Sequence, residues 1–309
     1  MTVRPIIELR ARTRRAIRDV FDRRGFLEVD TPVLSREVLP EAHIDPITVR
    51  LDDERPRFLQ ASPEALMKRL LARESGPIFQ FAQSFRAGER GGMHDVEFCL
   101  LEWYEPAATL ADVGPIVADL CAAALGTQGL DTVCCREAFL EHAGIDPFTA
   151  SAADLEGAVT AAGVDVPAFA DGDRWDRAFE LVLSQVVQPQ LGQGTPVLLV
   201  DWPASQAAFA RLDARGVARR FELFVEGVEL ANGWEEETSR GVLEERIAAA
   251  NAARDRAGRA ALPVPSRLLD AHGDRMPQGV GAALGFDRLV MLAAGAGSIH
   301  DVRCFRDEA

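Results

Sequence analysis

Lysine is nearly missing from this chain. Of its 34 basic residues only Lys68 is a lysine, so Schiff-base chemistry has one candidate whereas phosphate clamping by guanidinium has many. Cysteines are few and odd in number (Cys99, Cys121, Cys134, Cys135, Cys304), with no C-x-x-C pair. That excludes a zinc-ribbon spacing and a disulfide framework, and fits free thiols in a reducing compartment. No apolar run approaches the ~18 residues of a membrane-spanning helix, and the charged N-terminus lacks the apolar core of a secretion signal; a cytoplasmic protein with no membrane partner is expected. An excess of positive charge is also lacking. The net charge of −14 disfavours a main role in embracing a nucleic-acid backbone. There is no Walker A loop, since Lys68 follows Met67, and no G-x-S-x-G elbow. Gly279-Val280-Gly281-Ala282-Ala283-Leu284-Gly285 has the wrong spacing for a dinucleotide fingerprint and no βαβ unit after it.

With 309 residues, 48% of them hydrophobic and 27% charged, the chain can bury one large core or two smaller ones. Periodicity predicts an amphipathic helix over 6–24 stopped at Gly25, and a short strand ending at Pro32. Further strands are expected over 47–51 and 57–61. Ser62-Pro63-Glu64 reads as a helix start, with serine as N-cap and proline at the first helical position. Two strands, 78–86 and 96–104, flank a glycine- and arginine-rich loop. The stretch 107–190 is Ala-rich and mostly helical by period, and is expected to be an insertion in a single catalytic domain spanning 1–309. Strands return at 196–201 and 219–232, followed by a helix over 238–258 and a glycine-punctuated strand, Gly279–Gly285, that enters a helix at Asp287.

Chemistry-bearing residues concentrate in these segments. Along the strand after the arginine-rich loop, a two-residue period puts Phe98, Leu100, Glu102 and Tyr104 on one face, an aromatic plate in line with a carboxylate and a phenol. The alternative is a half-buried hairpin with an incidental arginine loop. If Glu226-Gly227 is a two-residue hairpin loop, Glu222 faces Ala231 and Phe224 faces Glu229, making Glu222 and Glu229 diagonal neighbours. Two such acids repel unless a cation lies between them, and hard oxygen ligands suit Mg²⁺ bound to phosphates; solvated surface acids are the other reading. Asp287 is expected to cap its helix. Arg288 in the first turn opposes the helix dipole, which suggests that its guanidinium serves a phosphate.

Taken in order, these segments resemble the class II aminoacyl-tRNA synthetases: motif 1 at 25–32, motif 2 at 85–104 and motif 3 at 279–291. Ser62-Pro63-Glu64-Ala65-Leu66-Met67-Lys68-Arg69-Leu70, Leu101-Glu102-Trp103-Tyr104 and Glu229-Leu230-Ala231-Asn232-Gly233 resemble the lysyl branch. The first helix starts within a few residues of Met1, leaving no room for an N-terminal OB-fold that reads anticodons, so a catalytic core alone is expected. This architecture is similar to the elongation factor P lysine ligase family, whose members attach (R)-β-lysine to a lysine of elongation factor P.

The resemblance implies an α/β (α+β) fold, an antiparallel sheet flanked by helices, with dimerisation through the strand at 26–32 and its preceding helix. It implies ATP and Mg²⁺ as cofactors. Arg86 would hold the α-phosphate and carboxylate, Phe98 and Arg288 would sandwich adenine, and Gly88, Glu89, His94, Asp95, Val96, Leu230 and Gly285 would complete the ATP site. Glu222 and Glu229 would hold Mg²⁺. Ser62, Pro63, Glu64, Tyr104, Asn232, Trp234, Glu236 and Ala283 would surround the amino acid. Related motif 2 loops read His-Asn-Pro-Glu-Phe where this chain has His94-Asp95-Val96-Glu97-Phe98, and carry glutamate where it has Gly88. Ala283 stands where lysyl-tRNA synthetases have glycine. Its methyl would favour (R)-β-lysine over α-lysine. The expected activity is formation of an aminoacyl-adenylate and transfer to elongation factor P, with charging of tRNA not expected. A truncated lysyl-tRNA synthetase-like enzyme and an amide ligase resembling class II-like asparagine synthetase are the alternatives.

Overall fold

The computed structural model describes residues 3–51, 55–167 and 173–305. It divides into two compact units, one formed by Met1–Thr109, Ala123–Leu125 and Glu236–Ala309, the other by Leu110–Ala122 and Gly126–Glu235. In chain order the elements are α1 (Arg4–Arg23), β1 (Leu27–Glu28), β2 (Leu34–Ser35), β3 (Thr48–Arg50), β4 (Pro56–Leu59), α2 (Glu64–Leu71), β5 (Ile78–Phe85) and β6 (Glu97–Pro106). Next come α3 (Leu110–Leu125), β7 (Asp131–Cys134), α4 (Cys135–Ala143), α5 (Ala152–Ala161), α6 (Arg174–Val182), β8 (Val197–Trp202), β9 (Ala218–Val225) and β10 (Val228–Glu235). The chain closes with α7 (Arg240–Arg256), α8 (Ser266–Leu269), β11 (Gly279–Gly285) and α9 (Phe286–Ala293).

In the first unit β5, β6 and β11 are antiparallel neighbours, and β1 adds to the β5 edge in parallel. The amphipathic pattern of α1 buries Ile17, Val20 and Phe21. Phe21 stacks on Phe79 of β5 with ring centroids 4.4 Å apart, an arrangement that adds to plain area burial. β2, β4 and β3 form a small antiparallel sheet of their own. The strands and helices foreseen in this unit are present.

In the second unit β8, β9 and β10 are antiparallel, and β7 joins β8 in parallel. Its core packs Phe139, Phe179, Trp202, Phe224 and Val187. The stretch expected to be mostly helical contains α3 to α6, yet it also contributes β7. That strand is only four residues long and does not alternate, so it carried no period-2 signal. Two helices here begin with capping boxes, Cys134 with Glu137 for α4 and Ser151 with Asp154 for α5, each satisfying otherwise orphaned amide groups. The expected two-residue hairpin loop between β9 and β10 is present. Both of its residues have positive φ, 49° at Glu226 and 72° at Gly227, as a primed turn requires.

Candidate active site

The first unit holds a buried acidic cluster built by α2, β6, β11 and Glu236. Helix α2 begins at Glu64 with Pro63 as N-cap and no side-chain cap, so the expected N-cap role of Ser62 is not realised: the serine lies one residue before the N-cap. One turn along, the chain's single lysine points back at Glu64. Lys68 Nζ donates to Glu64 Oε1 at 2.6 Å and meets Glu236 Oε2 at 2.6 Å. The period-2 face of β6 supplies Glu102 and Tyr104, whose hydroxyl donates to Glu102 Oε1 at 2.6 Å. The other oxygen, Glu102 Oε2, is buried with no hydrogen-bond partner. Strand β11 closes the pocket through Gly281, where an added Cβ would overlap the Tyr104 ring and Glu236 Oε1. Glycine is the residue that permits this approach. Ala283, two residues on and on the same face, pairs with Glu102 in the β6–β11 register.

Burial and the neighbouring Glu64 raise the Glu102 carboxyl to about 8, and burial next to Glu102 pushes the Tyr104 phenol well above its ordinary value. Burial opposes the Lys68 charge, but Glu236 and Glu64 outweigh it and raise the ammonium above the ordinary lysine value. The pocket therefore contains three carboxyl groups, one resident cation and an unsatisfied oxygen. A further ammonium is the group that such a site accommodates.

The arginine-rich loop lies beyond the end of β5. Arg86 packs its guanidinium 5.1 Å from the Phe98 ring centroid, reaches Glu89 at 3.3 Å and donates from Nε to the Ala61 carbonyl at 3.4 Å. Burial raises the Glu41 carboxyl to about 7, against the pull of Arg86. Glu41 and Ser62 line one cleft together with Glu37 and Gln60. Gly88 is exposed at positive φ with open space where a Cβ would stand. On α9, Arg288 donates from Nε to the Met93 carbonyl at 3.2 Å and lies 2.7 Å from His94 Nε2. Since arginine only donates, that nitrogen accepts. Asp95 is buried and bound by Arg303, and Val96 N–H donates to Asp95 Oδ1 at 2.7 Å.

Asp287 does not cap α9, whose N-cap is Gly285. The helix starts earlier than its polar pattern suggested, and the carboxylate instead accepts from Cys99 N–H at 2.8 Å and pairs with Arg10 at 2.7 Å. This ties α9 to β6 and α1, holding Arg288 in place.

In the second unit the acids of β9 and β10 meet differently from expectation. A bulge between Glu229 and Ala231 shifts the register, so Glu222 faces Asn232 rather than Ala231; one extra residue on β10 is enough to do this. Leu230 at the bulge is buried. Arg220 binds Glu222, donates to Asn232 Oδ1 at 3.1 Å and lies 4.2 Å from the Trp202 ring centroid. Burial is the main cause that raises Glu222 to about 8; Arg220 opposes it, while Glu229 and Glu180 add to it. Burial also raises Glu180. Among the described residues no group of three or more His, Cys, Asp or Glu side chains is placed to hold a metal ion. Trp234 packs against the second unit's apolar core and stands 6.1 Å from Phe209.

The sequence pattern assigned no site role to Lys68, Glu41 or Arg220. Glu102 was placed on the correct face. Lys68 carried a signal in its i, i+4 spacing from Glu64; Arg220 carried one in its period-2 spacing from Glu222.

Over residues 1–309 the chain matches the family described as class II tRNA synthetases (D, K and N). The chain belongs to that family. It is 38% identical over 309 residues to the elongation factor P (R)-β-lysine ligase of Salmonella typhi, covering 97% of this chain and 94% of that protein. Identity to the proteins of the same name from Salmonella gallinarum and Salmonella paratyphi B is 37%, with the same coverage. A class II synthetase catalytic fold, an antiparallel sheet flanked by helices, is what both units' strands display. Among the described residues, no helix is long and apolar enough to cross a membrane, and all five cysteines are free thiols.

Proposed function

We propose that this chain is an ATP-dependent ligase that activates (R)-β-lysine, or lysine, as an aminoacyl-adenylate and transfers it to a lysine of elongation factor P. The observation that carries this reading is the buried acidic pocket, in which Glu102 Oε2 lacks a partner. An amino acid with a distal ammonium supplies the missing donor. Binding it converts Glu102 from acid to carboxylate, so the proton leaves as the charge arrives.

Activation needs little covalent help from the protein. The substrate carboxylate attacks the α-phosphorus in line and pyrophosphate leaves; the chain supplies orientation and charge. Arg86 holds the carboxylate and α-phosphate, and the Phe98 ring beneath it offers a face for adenine opposite Arg288. Glu89, His94, Val96 and Gly285 flank the nucleotide, and Ser62, Glu64 and Tyr104 surround the amino acid. In the second step the acceptor lysine, as free amine, attacks the acyl carbon, AMP leaves, and the amide nitrogen loses its remaining extra proton. Glu222 and Glu229 would hold Mg²⁺, which when bound neutralises phosphate charge.

The enzyme works in the cytoplasm as a homodimer joined through α1 and β1, where Ile7 and Leu27 are 48% and 61% exposed and offer an isologous apolar face. The net charge of −14 speaks against tRNA as acceptor. Pyrophosphate exchange across the amino acids tests the assignment. Exchange is expected with (R)-β-lysine ahead of L-lysine, and Ala283→Gly should narrow that ratio from about 10–200-fold, the range one methyl commands. Exchange with aspartate or asparagine, but neither lysine, would refute it.

A further inference from the structure

The turn that closes the described chain packs on the arginine-rich loop. It begins at Ser298, which caps a short 3₁₀ segment, Ile299–Val302. Ser298 Oγ and Ile299 N–H both donate to the Gly92 carbonyl, at 3.0 and 2.9 Å. His300 Nε2 lies 3.1 Å from the Gly91 carbonyl, so that nitrogen carries the proton. Its other ring nitrogen stands 3.8 Å from Asp95 Oδ2. Arg303 binds that same Asp95 oxygen and donates to the Glu97 carbonyl at 2.9 Å. The base of the loop is closed by Arg86 N–H donating to the Val96 carbonyl at 3.0 Å. Contacts from this one turn therefore reach four loop positions between Gly91 and Glu97.

We propose that this turn is a strap that sets the loop's ATP-binding conformation, and that Arg303 is a positioning residue for adenylate formation. The inference rests on reading the loop as nucleotide-binding. Related loops carry Asn-Pro where this chain has Asp95-Val96. Proline fixes φ and stiffens the unbound chain, and valine gives up that restraint. Asp95 gains a negative charge that would repel ATP if it faced the nucleotide. Instead it is only 6% exposed, its Oδ1 holds the Val96 amide, and its Oδ2 is neutralised by Arg303. One buried ion pair thus supplies the stiffness that proline gives elsewhere and turns the extra charge away from the phosphates. Asp95 is on this account not a ligand of ATP.

ATP–pyrophosphate exchange with Arg303→Met, Arg303→Lys and Asp95→Asn tests the strap. Arg303→Met should raise the KM for ATP about tenfold or more, with kcat and the amino acid KM changed less than about threefold. Arg303→Lys should recover part of the loss. In an Asp95→Asn/Val96→Pro background the strap is redundant, and Arg303→Met should then cost less than about twofold. An unchanged ATP KM in Arg303→Met, equal rises in both Michaelis constants, or a full Arg303→Met effect in the Asn-Pro background would each overturn the proposal. Should Arg303→Met fail to fold, Asp95→Asn alone and with Val96→Pro carries the test: a raised ATP KM relieved by proline supports the strap, an unchanged one refutes it. Arg86→Ala separates the two readings. If it exchanges at full rate, the loop does not bind nucleotide; if it is inactive while Arg303→Met is normal, only the strap fails.

Discussion

Lys68→Met removes the ammonium of the chain's single lysine while keeping most of its apolar stem. Lys68 makes two contacts of 2.6 Å with carboxylates, and the side chains of Lys68, Glu64 and Glu236 are 3%, 9% and 2% exposed. Removing one partner of a buried ion pair costs about 3–5 kcal/mol, and here two carboxylates lose their cation together. The folded variant can relieve the repulsion by binding a proton that the unfolded chain does not bind. Each pH unit then changes stability by about 1.4 kcal/mol, so lowering the pH from about 8 to about 6 should recover close to 2.7 kcal/mol. Urea unfolding of wild type and variant at both pH values measures this directly. The expected loss is about 3–5 kcal/mol at the higher pH and about 0.3–2.3 at the lower. A loss below about 1 kcal/mol at the higher pH, or one that does not depend on pH, would refute the view of Lys68 as a structural counter-ion.

Gly281→Ala pushes a methyl into the Tyr104 ring and Glu236; it should raise the amino acid KM at least about tenfold while sparing ATP, and overpacking of this kind destabilises by about 1–3 kcal/mol. Equal effects on both substrates in pyrophosphate exchange would contradict the pocket assignment. Glu102 and Glu222 are both raised to about 8 by burial, so the folded state holds protons that the unfolded state has released. Their contribution to stability is complete below the ordinary glutamate range and is lost as pH rises through about 8. Unfolding free energy should fall between about pH 6 and pH 9, more steeply in wild type than in Glu102→Gln, and identical slopes would count against the buried acid. Arg86→Ala and Arg288→Ala should each lower exchange by about two to three orders of magnitude with the fold intact, because their charges meet the transition state. Near-normal rates would sink the motif assignment.

Periodicity made much of the architecture legible. Helix α1, the β5–β6 hairpin and the glycine-rich β11 all follow from spacing and punctuation, and the β9–β10 turn was readable from Glu226-Gly227. What escaped depends on detail that no local pattern encodes. The bulge at Leu230 moved Glu222 opposite Asn232, and a one-residue irregularity leaves no mark on the apolar pattern. Asp287 looked like a cap because it precedes an apolar run, yet it serves the Cys99 amide and Arg10. Lys68 was noticed as a rarity but not as a counter-ion, since one of its partners, Glu236, is remote in sequence. Asp95 was expected among the ATP-site residues. Its partner Arg303 is 208 residues away, beyond the reach of any window.

The acceptor and the activated amino acid can be tested in a single reaction. The purified protein is incubated with ATP, Mg²⁺, (R)-β-lysine and elongation factor P, beside a parallel reaction with total tRNA, and products are read by intact-protein mass spectrometry and acid-precipitable counts. The expected result is a mass gain of one β-lysyl group on a single lysine of elongation factor P, with AMP and pyrophosphate released and tRNA uncharged. Charged tRNA with unmodified elongation factor P would contradict it.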